Sequence, residues 1–176
     1  DIFACSGILF NHESPLRGLQ FVTRKITHNI AKLKAGKTGV LLELGDLSSS
    51  RDWGSAIDYV RAMKLMLEAD APNDYIIATG KLSSVRECLR LSALSAGFDP
   101  IFEGNGVNEV CVDNISGRVI AKVLQRNIRE NETPPLAGDS TKLELATGWV
   151  RTRSFEKLIE EMVLADISRI KMGNDN

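Results

Sequence analysis

The stretch Ser6–Ile26, SGILFNHESPLRGLQFVTRKI, decides the fold. Apolar residues run almost without break from Ile2 to Phe10. Such a run, closed by a polar segment, predicts a strand buried on both faces of a parallel sheet, because a half-exposed strand alternates instead. The polar loop that follows holds Asn11, His12, Glu13, Ser14, Pro15, Arg17 and Gly18. A helix is expected next, over 19–34. Leu19, Val22, Ile26, Ile30 and Leu33 form its apolar stripe, with Arg24, Lys25, His28, Lys32 and Lys34 outside it. A polar loop with cations at the carboxyl end of a strand is where open α/β sheets bind anionic ligands.

Outward from that stretch, strands and helices alternate. Val40–Leu44 and Asp74–Thr79 read as strands. Residues 55–69 read as a helix with Ala56, Ile57, Val60, Met63 and Leu67 facing a core, and Asp58 near its positive end. Ser84 and Glu87 make a capping box for a helix with Val85, Cys88, Leu89, Ala93 and Ala96 inside and Gly97 as its stop. Asn108–Leu124 predicts two strands joined across Asn114–Gly117. Residues 125–135 read as irregular. Asp139 caps a short helix that ends at Gly148. Ser154 caps a last helix with Phe155, Leu158, Ile159, Met162, Val163, Ile167 and Ile170 inside. The expected architecture is α/β: the tail of a doubly wound α/β domain with a smaller α/β lobe packed beside it. The whole of 1–176 is read as one such piece, the two sets of elements interleaved.

Composition narrows the class. Of 176 residues, 43% are hydrophobic and 26% charged, as in ordinary globular domains. A net charge of -1 argues against nucleic-acid or membrane-surface binding, so any phosphate site must be local. Cys5, Cys88 and Cys111 are odd in number and far apart, and read as reduced thiols rather than disulfides or metal ligands. The sequence begins at Asp1 with a strand entered in mid-fold, which reads as a piece of something larger.

Several residues have more than one use. Arg17, Arg24, Lys25, Arg51 and Arg129 border loops after strands or before helices. They suit a diphosphate, since the guanidinium fork matches phosphate oxygens, and equally suit solvent. His12 is a general base, a cofactor contact or a loop histidine tied to backbone. Trp53 is either a stacking platform for a ring or a packing anchor, and Asp52 a partner for Arg51. A Gly-rich dinucleotide loop, a Walker loop, Gly-x-Ser-x-Gly and Tyr-x-x-x-Lys are all missing from the sequence.

FNHESPLRG (10–18), FVTRKI (21–26), RDWGSAIDYVRAM (51–63), ATGKLSSVRE (78–87), LAGDSTK (136–142) and SFEKLIEEMVLAD (154–166) occur in the order and spacing of GDP-mannose 4,6-dehydratases. These belong to the extended short-chain dehydrogenase/reductases. The chain resembles the carboxyl-terminal half of that family over essentially its whole length, which implies the carboxyl-terminal part of a doubly wound, NAD(P)-binding Rossmann-type sheet plus a smaller α/β substrate-binding lobe. The resemblance implies an NADP-dependent lyase of GDP-fucose-type biosynthesis that converts GDP-mannose to GDP-4-keto-6-deoxymannose and water. It implies a cytoplasmic homo-oligomer, dimer or tetramer. It places His12 and Arg17 at NADP, and Asn11, Lys25, Arg51, Arg129 and Glu132 at the GDP-sugar. The catalytic Thr-Glu pair and Tyr-x-x-x-Lys of the family precede the first matched block, so no catalytic residue and no metal is expected here. Leu16 stands where the family has the first of two arginines, in a loop that reaches a neighbouring subunit's cofactor. Arg129-Glu-Asn-Glu132-Thr-Pro replaces the usual Arg-Pro-x-Glu-Val-Asp. The other class of protein this sequence fits is a stand-alone nucleotide-sugar-binding or subunit-interaction module without catalysis.

Overall fold

The computed structural model describes residues 2–131 and 133–173. In chain order its elements are β1 (Ser6–Leu9), β2 (Asn11–Glu13), α1 (Val22–Lys34), β3 (Leu42–Leu44), β4 (Ser50–Arg51), β5 (Trp53–Ser55), α2 (Ala56–Leu67), β6 (Asp74–Ile77), β7 (Ser83–Ser84), α3 (Val85–Ser95), β8 (Pro100–Glu103), β9 (Val110–Asp113), β10 (Val119–Val123), α4 (Thr141–Thr147) and α5 (Phe155–Lys171), with two short 3-10 turns. The chain folds as two interleaved units. Unit 1 comprises Asp1–Ser14, Ser50–Ser83 and Pro135–Leu158, and unit 2 comprises Pro15–Ser49, Ser84–Pro134 and Ile159–Asn176.

In unit 1, β1 runs parallel to β6, from Ser6 opposite Asp74 to Leu9 opposite Ile77. A second parallel pair joins β2 to β5, with His12 opposite Gly54. The core gathers Tyr59, Ala62 and Met66 of α2, Tyr75 and Ile77 of β6, Leu143 of α4 and Trp149, with Cys5 and Leu9 against it. Gly148 adopts φ +67° as the left-handed cap of α4, a conformation that favours glycine.

Two expectations fail in this unit. Ser6, Gly7 and Ile8 of β1 are exposed, Ile8 at 56%, so the strand is not buried on both faces. The reason is its neighbours: among the described residues β1 pairs with β6 alone, whereas a buried parallel strand is flanked on both edges. Helix α2 buries Asp58, Tyr59, Ala62 and Met66, while Ile57, Val60, Met63 and Leu67 face outward. Two stripes run along this helix, and the one built around Tyr59 took the core because Asp58 and Tyr59 find polar and aromatic partners there.

In unit 2 a four-stranded sheet has the order β3-β10-β9-β8, with β3 parallel to β10 and the rest antiparallel. Strand β8 was not anticipated, and β9 and β10 match the expected hairpin. Helix α1 packs on α3. The α3 stripe is buried as expected, and the Ser84 hydroxyl accepts from the Glu87 N–H at 3.1 Å. Helix α1 starts at Val22, and Leu19 is 39% exposed.

The α1 surface corrects the reading of its basic residues. Arg24 and His28 are buried, not solvated. Arg24 Nη2 lies 2.6 Å from Asp166 Oδ1, and the Thr27 hydroxyl donates to Asp166 Oδ2 at 2.8 Å. Burial lowers the affinity of the Arg24 guanidinium for its proton, and the Asp166 charge opposes that. Sequence periodicity could not reveal this pair, because its acid lies more than a hundred residues away on α5.

Candidate functional site

Residues singled out from the sequence fall in both units. Asn11, His12 and Arg51 belong to unit 1, and Arg17, Lys25 and Arg129 to unit 2. Glu132 lies outside the described residues.

The unit 1 group is built on the β2–β5 ladder. Asn11 and His12 are not in a loop but in β2, which begins directly after Phe10. His12 Nδ1 lies 3.0 Å from the Phe10 carbonyl oxygen. A carbonyl only accepts, so Nδ1 carries a proton there and Nε2 is the ring nitrogen left to meet a ligand. The imidazole packs against Tyr59 with ring centroids 5.1 Å apart. Opposite His12 stands Gly54, where a Cβ would meet Tyr59 Cε2 at 2.4 Å. The missing side chain at Gly54 therefore makes the space that the Tyr59 ring fills. In the sequence Tyr59 stands out only as part of the block RDWGSAIDYVRAM, yet it is the residue that packs against His12. Its hydroxyl is buried with no hydrogen-bond partner among the described residues. Burial, and then the charge of Asp52, hold the phenol above its ordinary titration range.

Arg51 is half-buried, and its Nη1 donates to the Ser50 carbonyl at 2.7 Å. Asp52 next to it is fully buried and accepts from the N–H groups of Thr79, Gly80 and Gly138 at 2.9, 2.9 and 3.1 Å, and from the Thr79 hydroxyl. Its carboxylate thus fixes the turn after β6. Trp53 is a packing residue here, 5% exposed and stacked on Phe155 at 5.6 Å and 9° between planes. The exposed edge a base would need is taken by Phe155.

In unit 2, the Arg17 guanidinium sits 3.4 Å above the Phe21 ring, a cation–π contact that holds it in the loop before α1. Lys25 Nζ donates to the Glu43 carbonyl at 2.6 Å, which leaves two ammonium protons for another acceptor. Arg129 is exposed, in an irregular segment after the 3-10 turn 125–127. Among the described residues no cluster of His, Cys, Asp and Glu has a metal-binding arrangement, and no helix is long and apolar enough to cross a membrane.

Architectures like this one occur in nucleotide-cofactor proteins. The structure of RMD from Pseudomonas aeruginosa complexed with NADPH superposes with a TM-score of 0.74 at 22% identity, over 93% of this chain and 48% of that one. A dTDP-glucose 4,6-dehydratase from Bacillus anthracis, in complex with NAD, gives 0.68 at 14% identity over 94% of this chain and 45% of that one. The fold is accordingly the α/β, Rossmann-type fold of the short-chain dehydrogenase/reductases and epimerases.

Sequence relatives narrow the class. The chain is 44% identical to a GDP-mannose 4,6-dehydratase of Yersinia enterocolitica, over 97% of its own length and 48% of the relative's. A GDP-mannose 4,6 dehydratase of Homo sapiens is 44% identical, with 97% and 46% covered. One from Caenorhabditis elegans is 46% identical, with 95% and 43% covered. The family profile of GDP-mannose 4,6 dehydratases matches residues 1–162, and the chain belongs to that family. It spans about half the length of the curated relatives it matches.

Proposed function

We propose that this chain is the nucleotide-sugar-binding half of an NADP-dependent GDP-mannose 4,6-dehydratase. The observation that carries the reading is the family match across residues 1–162, together with relatives of that name at 44% identity that are twice as long. The reaction takes GDP-mannose to GDP-4-keto-6-deoxymannose. The C4 alcohol becomes a ketone, the C5 proton and C6 hydroxyl leave as water, and C6 receives the hydride that left C4. NADP, when bound, supplies that hydride acceptor and donor.

The residues present fit such a cofactor and substrate. His12 offers Nε2 from a ring held by Phe10 and Tyr59, one hydrogen-bonding position for a ribose or amide group. Arg17 offers a guanidinium held in place over Phe21, suited to a phosphate. For the sugar nucleotide, Arg51, Lys25 and Arg129 supply cations for the diphosphate, Asn11 an amide for a hydroxyl, and Glu132 an acceptor for a ribose hydroxyl. On this reading the residues that move protons at C4 and C5 lie in a segment outside this sequence, so the chain alone binds and orients without turning over. Exposed Ile8 and the edge of β1 left unpaired among the described residues support the same reading, since a parallel sheet with a bare face and edge fits a further strand and covering helices. The working enzyme is a cytoplasmic homo-oligomer, dimer or tetramer.

The test is GDP-mannose binding by calorimetry. Arg51→Ala weakens it at least about tenfold, the loss of one charge-assisted contact. An unchanged affinity removes Arg51 from the site.

A further inference from the structure

Unit 1 holds a cleft of about 250 Å³ that contains none of the residues assigned above to NADP or GDP-mannose. Three segments wall it: β5, the turn after β6, and the approach to α5. Its apolar wall is the Trp53–Phe155 stack, fixed at 9° between planes. Its charges are Lys81, Arg151 and Arg153 against the single carboxylate of Glu156.

Both cation-bearing segments are pinned from beneath by a buried carboxylate. Asp52, 1% exposed, accepts from the Thr79 and Gly80 N–H groups at 2.9 Å each, and Lys81 departs from that turn. Asp58, also 1% exposed, accepts from the N–H groups of Thr152 and Arg153 at 3.1 Å each and from the Thr152 hydroxyl at 2.6 Å. Arg151 and Arg153 flank that anchor. Burying a carboxylate is costly unless it is fully bonded, and here each one fixes a backbone turn that carries positive charge. The backbone that carries the cations is thus set in place before any anion arrives, which lowers the ordering cost of binding.

Two more observations point to a ligand. Among the described residues the Lys81 ammonium and the Arg151 guanidinium have no ion-pair partner. Ser55 is 4% exposed, lines the cleft, and stands at the N-cap of α2 without making the usual capping bond.

We propose that this cleft binds a small organic phosphate, with Lys81 and Arg151 on the phosphate oxygens, Ser55 as a further donor and the carbon skeleton against Phe155. Arginine's planar fork and a lysine point charge together suit a phosphate better than a neutral sugar.

The test is calorimetry of the whole 176-residue chain with glucose 1-phosphate as the probe and sodium sulfate as the ionic control. Wild type binds glucose 1-phosphate more tightly than sulfate. In Lys81→Ala/Arg151→Ala the affinity falls at least about tenfold, from the loss of two charge-assisted contacts. Both positions are exposed, so the fold tolerates the change, and an unaltered circular dichroism spectrum and thermal midpoint check this. Arg51→Ala, outside the cleft, keeps the probe's affinity. Absence of binding, equal binding of sulfate, unchanged affinity in the double variant, or a loss confined to Arg51→Ala each overturns the proposal.

Discussion

The two units solve the same packing problem to different degrees. Unit 2 pairs four strands in one sheet, packs α1 on α3 and buries Leu158's neighbours on α5, Ile159, Met162 and Val163, completely. Its buried charge is matched too: Arg24 meets Asp166, and Arg86 meets Glu109 through two 2.8 Å bonds. Unit 1 divides its strands among two-stranded sheets and leaves Ile8, Ile57, Val60 and Leu67 between 49% and 63% exposed. Two of its buried carboxylates, Asp52 and Asp58, bind backbone N–H groups of turns, and Asp58 also meets the half-exposed Arg61 at 3.2 Å. The difference teaches that unit 2 closes its core with its own elements, whereas unit 1 leaves apolar surface of β1 and α2 exposed.

The largest effect that can break this comparison is expected in unit 2. Asp166→Ala strands the buried Arg24 guanidinium and costs about 3–5 kcal/mol in denaturant unfolding. The paired replacement Arg24→Met/Asp166→Leu recovers most of that, since both charges leave together. A single-variant loss below about 1 kcal/mol would show that the pair is solvated and that unit 2 is no better closed than unit 1.

A smaller loss is expected from a unit 1 anchor. Asp58→Ala leaves the N–H groups of Thr152 and Arg153 without their acceptor and costs about 2 kcal/mol by the same assay. Hydrogen exchange should quicken at 150–154 while β9 and β10 stay protected. Even loss of protection in both places would contradict the local role given to Asp58.

The exposed stripe sharpens the contrast most directly. Val60→Ser in this chain changes stability by less than about 0.5 kcal/mol, as for ordinary surface positions. Ile159→Ala, at 0% exposure, costs about 2–5 kcal/mol. Comparable costs would mean that Val60 is covered and the apolar face of α2 is not free.

The smallest effect concerns acid. Asp113 closes the β9–β10 turn, accepting first from the Ser116 hydroxyl and then from the Asp99 N–H, and these bonds hold its carboxyl below the usual range. Its folded-state value is therefore depressed, so its contribution is present above the unfolded value and is lost as pH falls through the folded one. Unfolding followed below about pH 4 should steepen with acid in wild type and less so in Asp113→Asn. Parallel pH profiles would remove Asp113 as a source of acid sensitivity.

Much of this architecture was legible in the sequence. The caps at Ser84 and Ser154, the Gly148 stop, the α3 and α5 stripes and the Asn114–Gly117 turn are local signals, and each is realised where its residues stand. What escaped was set by distant partners. The burial of Arg24 depends on Asp166, and the choice of stripe on α2 depends on Trp149, whose Nε1 donates to the Asp58 carbonyl at 2.9 Å. Strand β2 was hidden because Asn11, His12 and Glu13 are poor strand formers that pair only because β5 lies beside them. The candidate site was legible as residue types in FNHESPLRG and RDW. The support it rests on, Tyr59 over Gly54, was not, since neither residue carries a sign of the other in the sequence.

The central claim is that this chain binds the nucleotide sugar while the chemistry resides in a separate half. The most direct test mixes the purified chain with the amino-terminal half of the Yersinia enterocolitica relative, the part this chain does not match, and follows keto-sugar formation from GDP-mannose and NADP. The account predicts turnover by the mixture, none by either piece alone, and loss of turnover when Ile8→Glu blocks the exposed face of β1. Turnover by this chain alone would contradict the claim that its chemistry lies elsewhere. A mixture that binds GDP-mannose yet stays inactive would contradict the dehydratase reading and favour a binding module.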